Sequence, residues 1–301
     1  MKHFAVLMIL VLMSFVAGTP AYADLNSGLV AYYSFTGNAN DDSGNNNPGM
    51  VTGAVLTNDQ FGVPNSAYYF DGSSAYIQVP YNQSFDVTPS GFTVASWFKA
   101  DPAQIDPSGI YDLIDKSHGS NGTFDDRAGW AVQFFNGNAS HFAVGTGTDF
   151  SWKAAGSNDP LLDNKWHHIT GTFEGSLIKI YIDGVLKNTF TLAPGETPVS
   201  NTRDLFIGRH YALGRYFRGA IDEVRIYNRA LADSEVALLG VSAISGCLTL
   251  FGAPLQNAPV NLKQDNEQKQ TTLTNTDGCF GFKAIVSGKS FKLDVQGPVV
   301  P

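Results

Sequence analysis

The 301 residues carry 27 Asp and Glu against 19 Lys and Arg, a formal net charge of −8. That balance argues against a phosphate-backbone partner, which needs clustered basic side chains, and no nucleic acid is expected. The length suits about two domains. With 31 Gly, 12% aromatic and 15% charged residues, the composition favours strands and turns over helices. At 43% hydrophobic the chain can bury a full core, and an all-β fold is expected.

Residues 1–23 read as a secretory signal peptide. Lys2 and His3 form a short polar head, Phe4–Val16 is an apolar run, and Ala21-Tyr22-Ala23 is a small-residue cleavage site, with cutting after Ala23. The mature chain, 24–301, would carry a net charge of −9 because Lys2 is lost. No later stretch approaches the roughly 18 apolar residues of a spanning helix, so no membrane span is expected. A secreted or periplasmic location follows from that pattern.

Leu29–Phe35 is a dense apolar strand running into an Asn, Asp, Ser and Gly loop at Gly37–Gly49. Ala67–Phe70 and Ala75–Val79 read as strands around Asp71-Gly72. Phe92–Lys99 alternates Phe92, Val94, Ser96 and Phe98 with Thr93, Ala95 and Trp97, both faces apolar enough for a central strand. Asp101–Arg127 reads as a polar insertion with a short apolar piece at Ile110–Ile114. Trp130–Phe135 and Ser140–Val144 read as a hairpin around Asn136-Gly137-Asn138. Trp166–Phe173 and Leu177–Ile182 flank Glu174-Gly175-Ser176, and Asp183-Gly184 turns the chain into Val185–Thr191. Leu205–Gly208 and Ala220–Tyr227 close the set. Leu231–Leu239, with Asp233 or Ser234 near its start, is the one expected helix. The pattern shifts near Val241. Ile244–Leu250, Val260–Gln264, Gln270–Thr274, Cys279–Lys283 and Phe291–Val295 read as five short strands of a small β-sandwich. The expected division is therefore 1–23 signal, 24–240 first domain and 241–301 second domain.

Seven motifs carry a family resemblance: Leu29–Phe35, Gly37–Asn45, Tyr69–Gly72, Phe92–Trp97, Trp166–Ile169, Ile180–Gly184 and Ile221–Leu231. In this order, residues 29–239 resemble the laminin-G-like jelly-roll family, the concanavalin A-like lectin/glucanase sandwiches. The resemblance implies two packed antiparallel sheets, with binding or adhesion more often than catalysis, and it implies that Trp97 and Trp166 are buried. Residues 243–301 resemble the carboxypeptidase-regulatory-like family through Ile244-Ser-Gly, Pro254–Val260, Thr276–Phe282 and Gly288–Leu293. Such modules act as spacers and accessory folds.

Asp41, Asp42, Asn45 and Asn46 offer hard oxygen ligands of the kind Ca²⁺ takes. The resemblance implies a structural calcium ion between Asp41 and Asp222 in the last strand, with Asn45 as a further ligand. The competing reading is turn chemistry, in which Asp and Asn bond their own backbone. His167 and His168 are adjacent and point to opposite faces of a strand, so they cannot chelate one ion. The chain has five Glu, at 174, 196, 223, 235 and 267, and no two are four apart. The Glu-x-Asp-x-Glu strand that sets two carboxylates about 5 Å apart on one face in retaining glycosidases of this superfold is absent. Asp222 and Glu223 are expected on opposite faces, and no enzyme is expected.

Sugars stack on exposed Trp and Tyr rings while Asn, Asp and Arg bond their hydroxyls. Trp152, Tyr211, Arg215 and Tyr216 fall in loops and are the candidate ligand-binding residues. Cys247 and Cys279, the only cysteines, would form a disulfide after export. The expected function is an exported, non-catalytic recognition or adhesion protein binding a glycan or an extracellular or envelope protein. The alternatives are a structural or assembly component of the cell envelope that binds no sugar and, last, a carbohydrate-active enzyme.

Overall fold

The computed structural model describes residues 24–103, 109–118, 127–135, 139–147, 152–240, 244–250, 253–264, 267–282 and 291–295. The expected signal peptide and its cleavage site at Ala23 lie outside them. Among the described residues, fifteen strands precede the helix. They are β1 (Leu29–Tyr33), β2 (Met50–Thr52), β3 (Val55–Thr57), β4 (Ala67–Asp71), β5 (Tyr76–Val79), β6 (Phe92–Ala100), β7 (Ile110–His118), β8 (Ala128–Phe135), β9 (Ala139–Val144), β10 (Lys153–Ser157), β11 (Trp166–Glu174), β12 (Leu177–Ile182), β13 (Val185–Thr191), β14 (Leu205–Ile207) and β15 (Arg218–Tyr227). Helix α1 is Asp233–Leu239.

An eight-stranded sheet runs β13-β12-β11-β6-β15-β4-β3, with β1 also paired to β15. A seven-stranded sheet runs β10-β9-β8-β7-β14-β5-β2. Both are antiparallel, and their inner faces interdigitate in one apolar core. Phe92 of β6 meets Trp130 of β8 at 4.8 Å between ring centroids, and Phe98 meets Phe134 at 5.3 Å. Large rings from both sheets thus close the roughly 10 Å gap between aligned sheets. This is the jelly-roll sandwich of the concanavalin A-like type.

The Asp183-Gly184 turn has both residues at positive φ, +51° and +74°. That is the type I′ geometry whose twist matches a two-residue hairpin, here β12–β13. Helix α1 covers part of the outer face of the eight-stranded sheet, where Leu231, Val236 and Leu239 pack with Leu25, Ala95, Tyr181 and Tyr227. The residue before it is Ala232, which has no side-chain cap to offer. Only the reciprocal half of a capping box forms, with Glu235 taking the Ala232 N–H at 2.8 Å, and Arg229 clasps the same carboxylate through two 2.7 Å bonds.

Two expectations are corrected, one from the family resemblance and one from the strand period. Trp97 and Trp166 are half-buried, not buried. Trp166 is opposite Lys99, and Trp97 is opposite His168 and Asp222. The second correction concerns Asp222 and Glu223. Ile221, Val224 and Ile226 all enter the inter-sheet core, so the strand does not alternate between 221 and 224. A bulge lies there, with Glu223 at φ +55°, and both carboxyl side chains stay on the outer face. The extra residue of a bulge is what allows this.

The remaining strands are β16 (Ile244–Cys247), β17 (Thr249–Leu250), β18 (Ala253–Pro254), β19 (Pro259–Gln264), β20 (Glu267–Leu273), β21 (Cys279–Phe282) and β22 (Phe291–Val295). They form the antiparallel sets β16-β21, β17-β18 and β20-β19-β22. The short strands expected after residue 241 are present, with Ile244–Leu250 divided into β16 and β17 and Ala253–Pro254 added as β18. Cys247 and Cys279 are direct register partners across β16 and β21.

Candidate functional site

Strand β7 makes the base of the candidate site. Its Tyr111, Leu113 and Ile114 enter the core, while a register shift between Asp112 and Ile114 leaves Asp112 and Asp115 outside that cluster yet fully buried. The segment after β14 folds back over them. The backbone N–H of Tyr211 donates to Asp115 Oδ2 at 3.1 Å, and the N–H groups of Asp112 and His210 both donate to the Arg215 carbonyl at 3.3 Å. Burial raises the Asp115 pKa, while hydrogen bonds from Ser117 and Tyr211 and the nearby Arg215 charge act the other way.

His210 fixes the loop's shape. Its Nδ1 accepts the N–H groups of Ala212 and Leu213, each at 3.1 Å. That places the ring proton on Nε2, which faces Ser117 Oγ at 3.4 Å. Burial and the charges of Arg215, Arg209 and Arg127 push its pKa down to about 3, so the ring is neutral at physiological pH.

Guanidinium groups and aromatic rings alternate around this loop. Arg203 lies over Tyr211 at 5.0 Å, and Arg209 over Tyr76, Phe206 and Tyr216 at 4.6, 5.0 and 5.4 Å. Arg127 lies over Trp152 at 5.6 Å, and its own pKa is lowered by burial and by Arg215. The Arg209 Nε donates to the His210 carbonyl at 2.8 Å and a second nitrogen to the Tyr211 carbonyl. A pocket of about 510 Å³ adjoins the cluster, lined by Ala128, Gly147 and the 199–203 segment that ends in Arg203. Cation–π contacts of this kind hold a ring face and a charge in fixed relation.

The four residues singled out from the sequence are therefore brought together. Tyr211, Arg215 and Tyr216 share the loop, and Trp152 joins through Arg127, whose charge Arg215 perturbs. All four are half-buried. Sequence reasoning missed Arg127, Arg203 and Arg209, which lie on separate loops and form no run of basic residues.

The acidic loop is organised differently from the expected calcium site. Asp41 Oδ1 accepts the N–H groups of Tyr32 at 3.0 Å and Ser43 at 2.9 Å; Oδ2 accepts the N–H and side-chain amide of Asn47 at 3.0 and 3.2 Å. A carboxylate has about four lone-pair directions, and N–H donors take all four. Asn45 donates its amide to the Leu29 and Val30 carbonyls and to Ser43 Oγ. Asp222 is fully buried, and its Oδ1 accepts the Glu223 N–H at 2.8 Å. The described residues include no group of three or more His, Cys, Asp or Glu side chains arranged to hold a metal ion. Asp41 and Asn45 thus fit the turn-chemistry reading and do not fit a calcium ligand set.

The paired histidines fall on opposite faces, as the strand period requires. His168 is buried, with its pKa pushed down to about 3 by desolvation and Arg225. His167 sits between Asp183, 3.0 Å from Nδ1, and Asp163, 3.2 Å from Nε2, and these raise its pKa.

A family model described as the concanavalin A-like lectin/glucanases superfamily matches residues 71–237, more than half of the chain. Pappalysin-1 of Mus musculus is 24% identical over 182 residues, which cover 58% of this chain and 11% of that protein. The chain therefore spans about a tenth of that relative's length. The binding domain of Paraclostridial Mosquitocidal Protein 1 superposes with a TM-score of 0.61 at 21% identity, covering 80% of this chain and 59% of that one. The botulinum neurotoxin serotype D binding domain gives 0.59 at 18%, covering 80% and 58%. Domain 4 of AbnA, an extracellular arabinanase from Geobacillus stearothermophilus solved with arabinotriose, gives 0.55 at 23%, covering 69% and 96%. At these identities the structures share the fold.

Proposed function

The chain belongs to the concanavalin A-like lectin/glucanases superfamily, and from that premise we propose that it is an exported, non-catalytic recognition module. Its jelly roll binds a glycan through the face that carries Trp152, Tyr211, Arg215 and Tyr216. One observation carries this reading: four residues chosen from the sequence for sugar recognition converge with three further arginines over a single buried base. Rings of this size bury much apolar area at little entropic cost, and Arg forks suit hydroxyl and carboxylate oxygens. The similar solved structures support the reading, since their names describe binding domains and, for AbnA domain 4, a complex with arabinotriose. The absence of a Glu-x-Asp-x-Glu strand supports the non-catalytic half. Residues after 241 serve as a spacer or docking module.

A glycan array probed with the full chain tests the proposal. Hits that vanish in Trp152→Ala and Arg215→Ala, both with unchanged melting curves, support it. Hits that persist in both variants move the site elsewhere, and no hits at all leave the second reading in front. That reading is an envelope or assembly component with a protein partner. It draws on β13, an edge strand of the eight-stranded sheet in which every residue is exposed, including Val185 at 58% and Leu186 at 41%. An edge of that kind is suited to accept a partner strand.

A further inference from the structure

The outer face of the eight-stranded sheet holds a feature the reading above does not use. Tyr69 of β4 is the register partner of Ala220 in β15; Ala220 is the partner of Lys99 in β6; Lys99 is the partner of Trp166 in β11. The four residues therefore form one straight row across four neighbouring strands. Three steps of ~4.8 Å set the backbone positions of Tyr69 and Trp166 roughly 14 Å apart. Between them stand a methyl group and one flexible amine. The row lines a pocket of about 500 Å³, walled by Asp59, Asp101 and Asn164 among others.

We infer that this trough is a second, separate binding site, and that its ligand is a short neutral oligosaccharide lying across the strands. An aromatic ring at each end offers an apolar face to a sugar ring, and each ring also carries a polar tip. Ala220 keeps the middle of the floor low. Lys99 is half-buried and makes no ion pair or side-chain hydrogen bond with the described residues, so its three N–H donors are available to hydroxyl oxygens. The walls balance that charge. Asp59 Oδ1 accepts the N–H groups of Phe61 and Val63 at 2.8 and 2.9 Å. Asp101 is held by Arg218 Nε at 2.8 Å, and Arg218 also bonds the Tyr69 hydroxyl. Lys99 and Arg218 offset Asp59 and Asp101, which favours an uncharged ligand. Apolar platforms with a few converging polar groups are the usual form of a small-ligand site.

The test is ¹H–¹⁵N NMR of the four tryptophan indole N–H groups in the full chain, with Trp166 assigned through Trp166→Phe. Arabinotriose, cellotriose, maltotriose and mannotriose are titrated to millimolar concentration. At least one is expected to shift the Trp166 indole signal while leaving that of Trp152 in place. Lys99→Met should weaken that titration at least tenfold, and Ala220→Leu, which fills the floor, should abolish it. A Trp166 signal that no trisaccharide moves overturns the inference, as does one that moves equally in Lys99→Met. A shift at Trp152 alone would support the first site and overturn the second, so the two proposals fail independently.

Discussion

The Tyr32 hydroxyl, in β1, donates to the Glu223 carboxylate, in β15, at 2.7 Å. Arg225 completes the arrangement, pairing with Glu223 at 2.6 Å and covering the Tyr32 ring at 4.3 Å. The β15 bulge makes this possible by turning Glu223 outward beside Arg225. Strands 191 residues apart are thereby tied by a charged network, on the same sheet face that α1 partly covers. Burial raises the Tyr32 pKa and the Glu223 charge adds to it, so the phenol stays a donor at all ordinary pH.

Tyr32→Phe removes one hydrogen bond to a charged group and is expected to lower unfolding free energy by about 1.5–3 kcal/mol. Glu223→Gln strands the buried Arg225 charge and should cost more, roughly 3–5 kcal/mol. Urea unfolding followed by tryptophan fluorescence measures both. A Tyr32→Phe midpoint equal to wild type would show that the strands are held by other contacts.

The acidic loop gives a prediction of opposite kind to a metal site. Asp41 acts by gathering N–H donors, so Asp41→Ala should lower the melting temperature by the same amount with and without EDTA. The loss is that of a carboxylate bonded to several backbone groups, each worth about 1.5–3 kcal/mol and not additive. Differential scanning calorimetry in calcium and in EDTA decides it. A wild-type transition that drops in EDTA, with no further drop in Asp41→Ala, would put a cation back on this loop.

Much of the fold was legible because apolar alternation survives in the central strands. Phe92–Ala100 and Leu177–Ile182 fall where the pattern places them. What escaped had physical reasons. Strand β7 was visible only as Ile110–Ile114, because Asp115, Lys116 and Ser117 read as loop; tertiary partners bury all three. Lys116 reaches Asp86 at 2.7 Å and the Asn201 carbonyl at 2.9 Å, contacts no local window contains. Strands β2 and β3 are three-residue edges with mostly exposed side chains, too short to show a period. The candidate site was half legible. Loop aromatics stand out in sequence, but the stacking of Arg203 on Tyr211 and Arg127 on Trp152 joins separate loops. The Trp166 trough was hidden because a strand's period sorts residues into two faces without saying which one is wet.

Acid should loosen the candidate site before it unfolds the sandwich. His210 titrates near 6.5 when unfolded and at about 3 when folded. Between those values the unfolded chain binds the extra proton, so stability from the neutral ring is complete above about pH 6.5 and lost as pH falls toward 3. From pH 6.5 to 5 the loss is ~2 kcal/mol at 1.36 kcal/mol per unit. His168 follows the same sign. His167 has the opposite one, since Asp183 and Asp163 raise its pKa and its contribution fades as pH rises. A difference between variants isolates His210. His210→Asn keeps an acceptor for Ala212 and Leu213 but cannot titrate, so its urea midpoint should fall less than that of wild type between pH 7 and 5. Parallel curves would mean that His210 is not held neutral.

The last prediction concerns the strands after residue 241. Cys247 and Cys279 are opposite each other in an antiparallel pair, where Cα atoms lie about 4.5–5.5 Å apart. That falls within the 4.4–6.8 Å that a disulfide spans without moving the backbone. The surrounding sheets are small, with two strands in β16-β21 and three in β20-β19-β22, and a thin core gains most from a covalent staple. A bond here would close a loop of about 32 residues, worth roughly 3–4 kcal/mol on the chain-entropy model. The expected result is no thiol reactive toward Ellman's reagent in the denatured, unreduced protein and two per chain after reduction. Dithiothreitol should then make residues beyond 241 protease-sensitive while the jelly roll stays intact, because the jelly roll contains no cysteine. Two reactive thiols before reduction, in protein prepared through an oxidising compartment, would sink the idea. A Cys247→Ser/Cys279→Ser variant whose tail resists protease as well as wild type would show that the bond, even if formed, is not what holds these strands together.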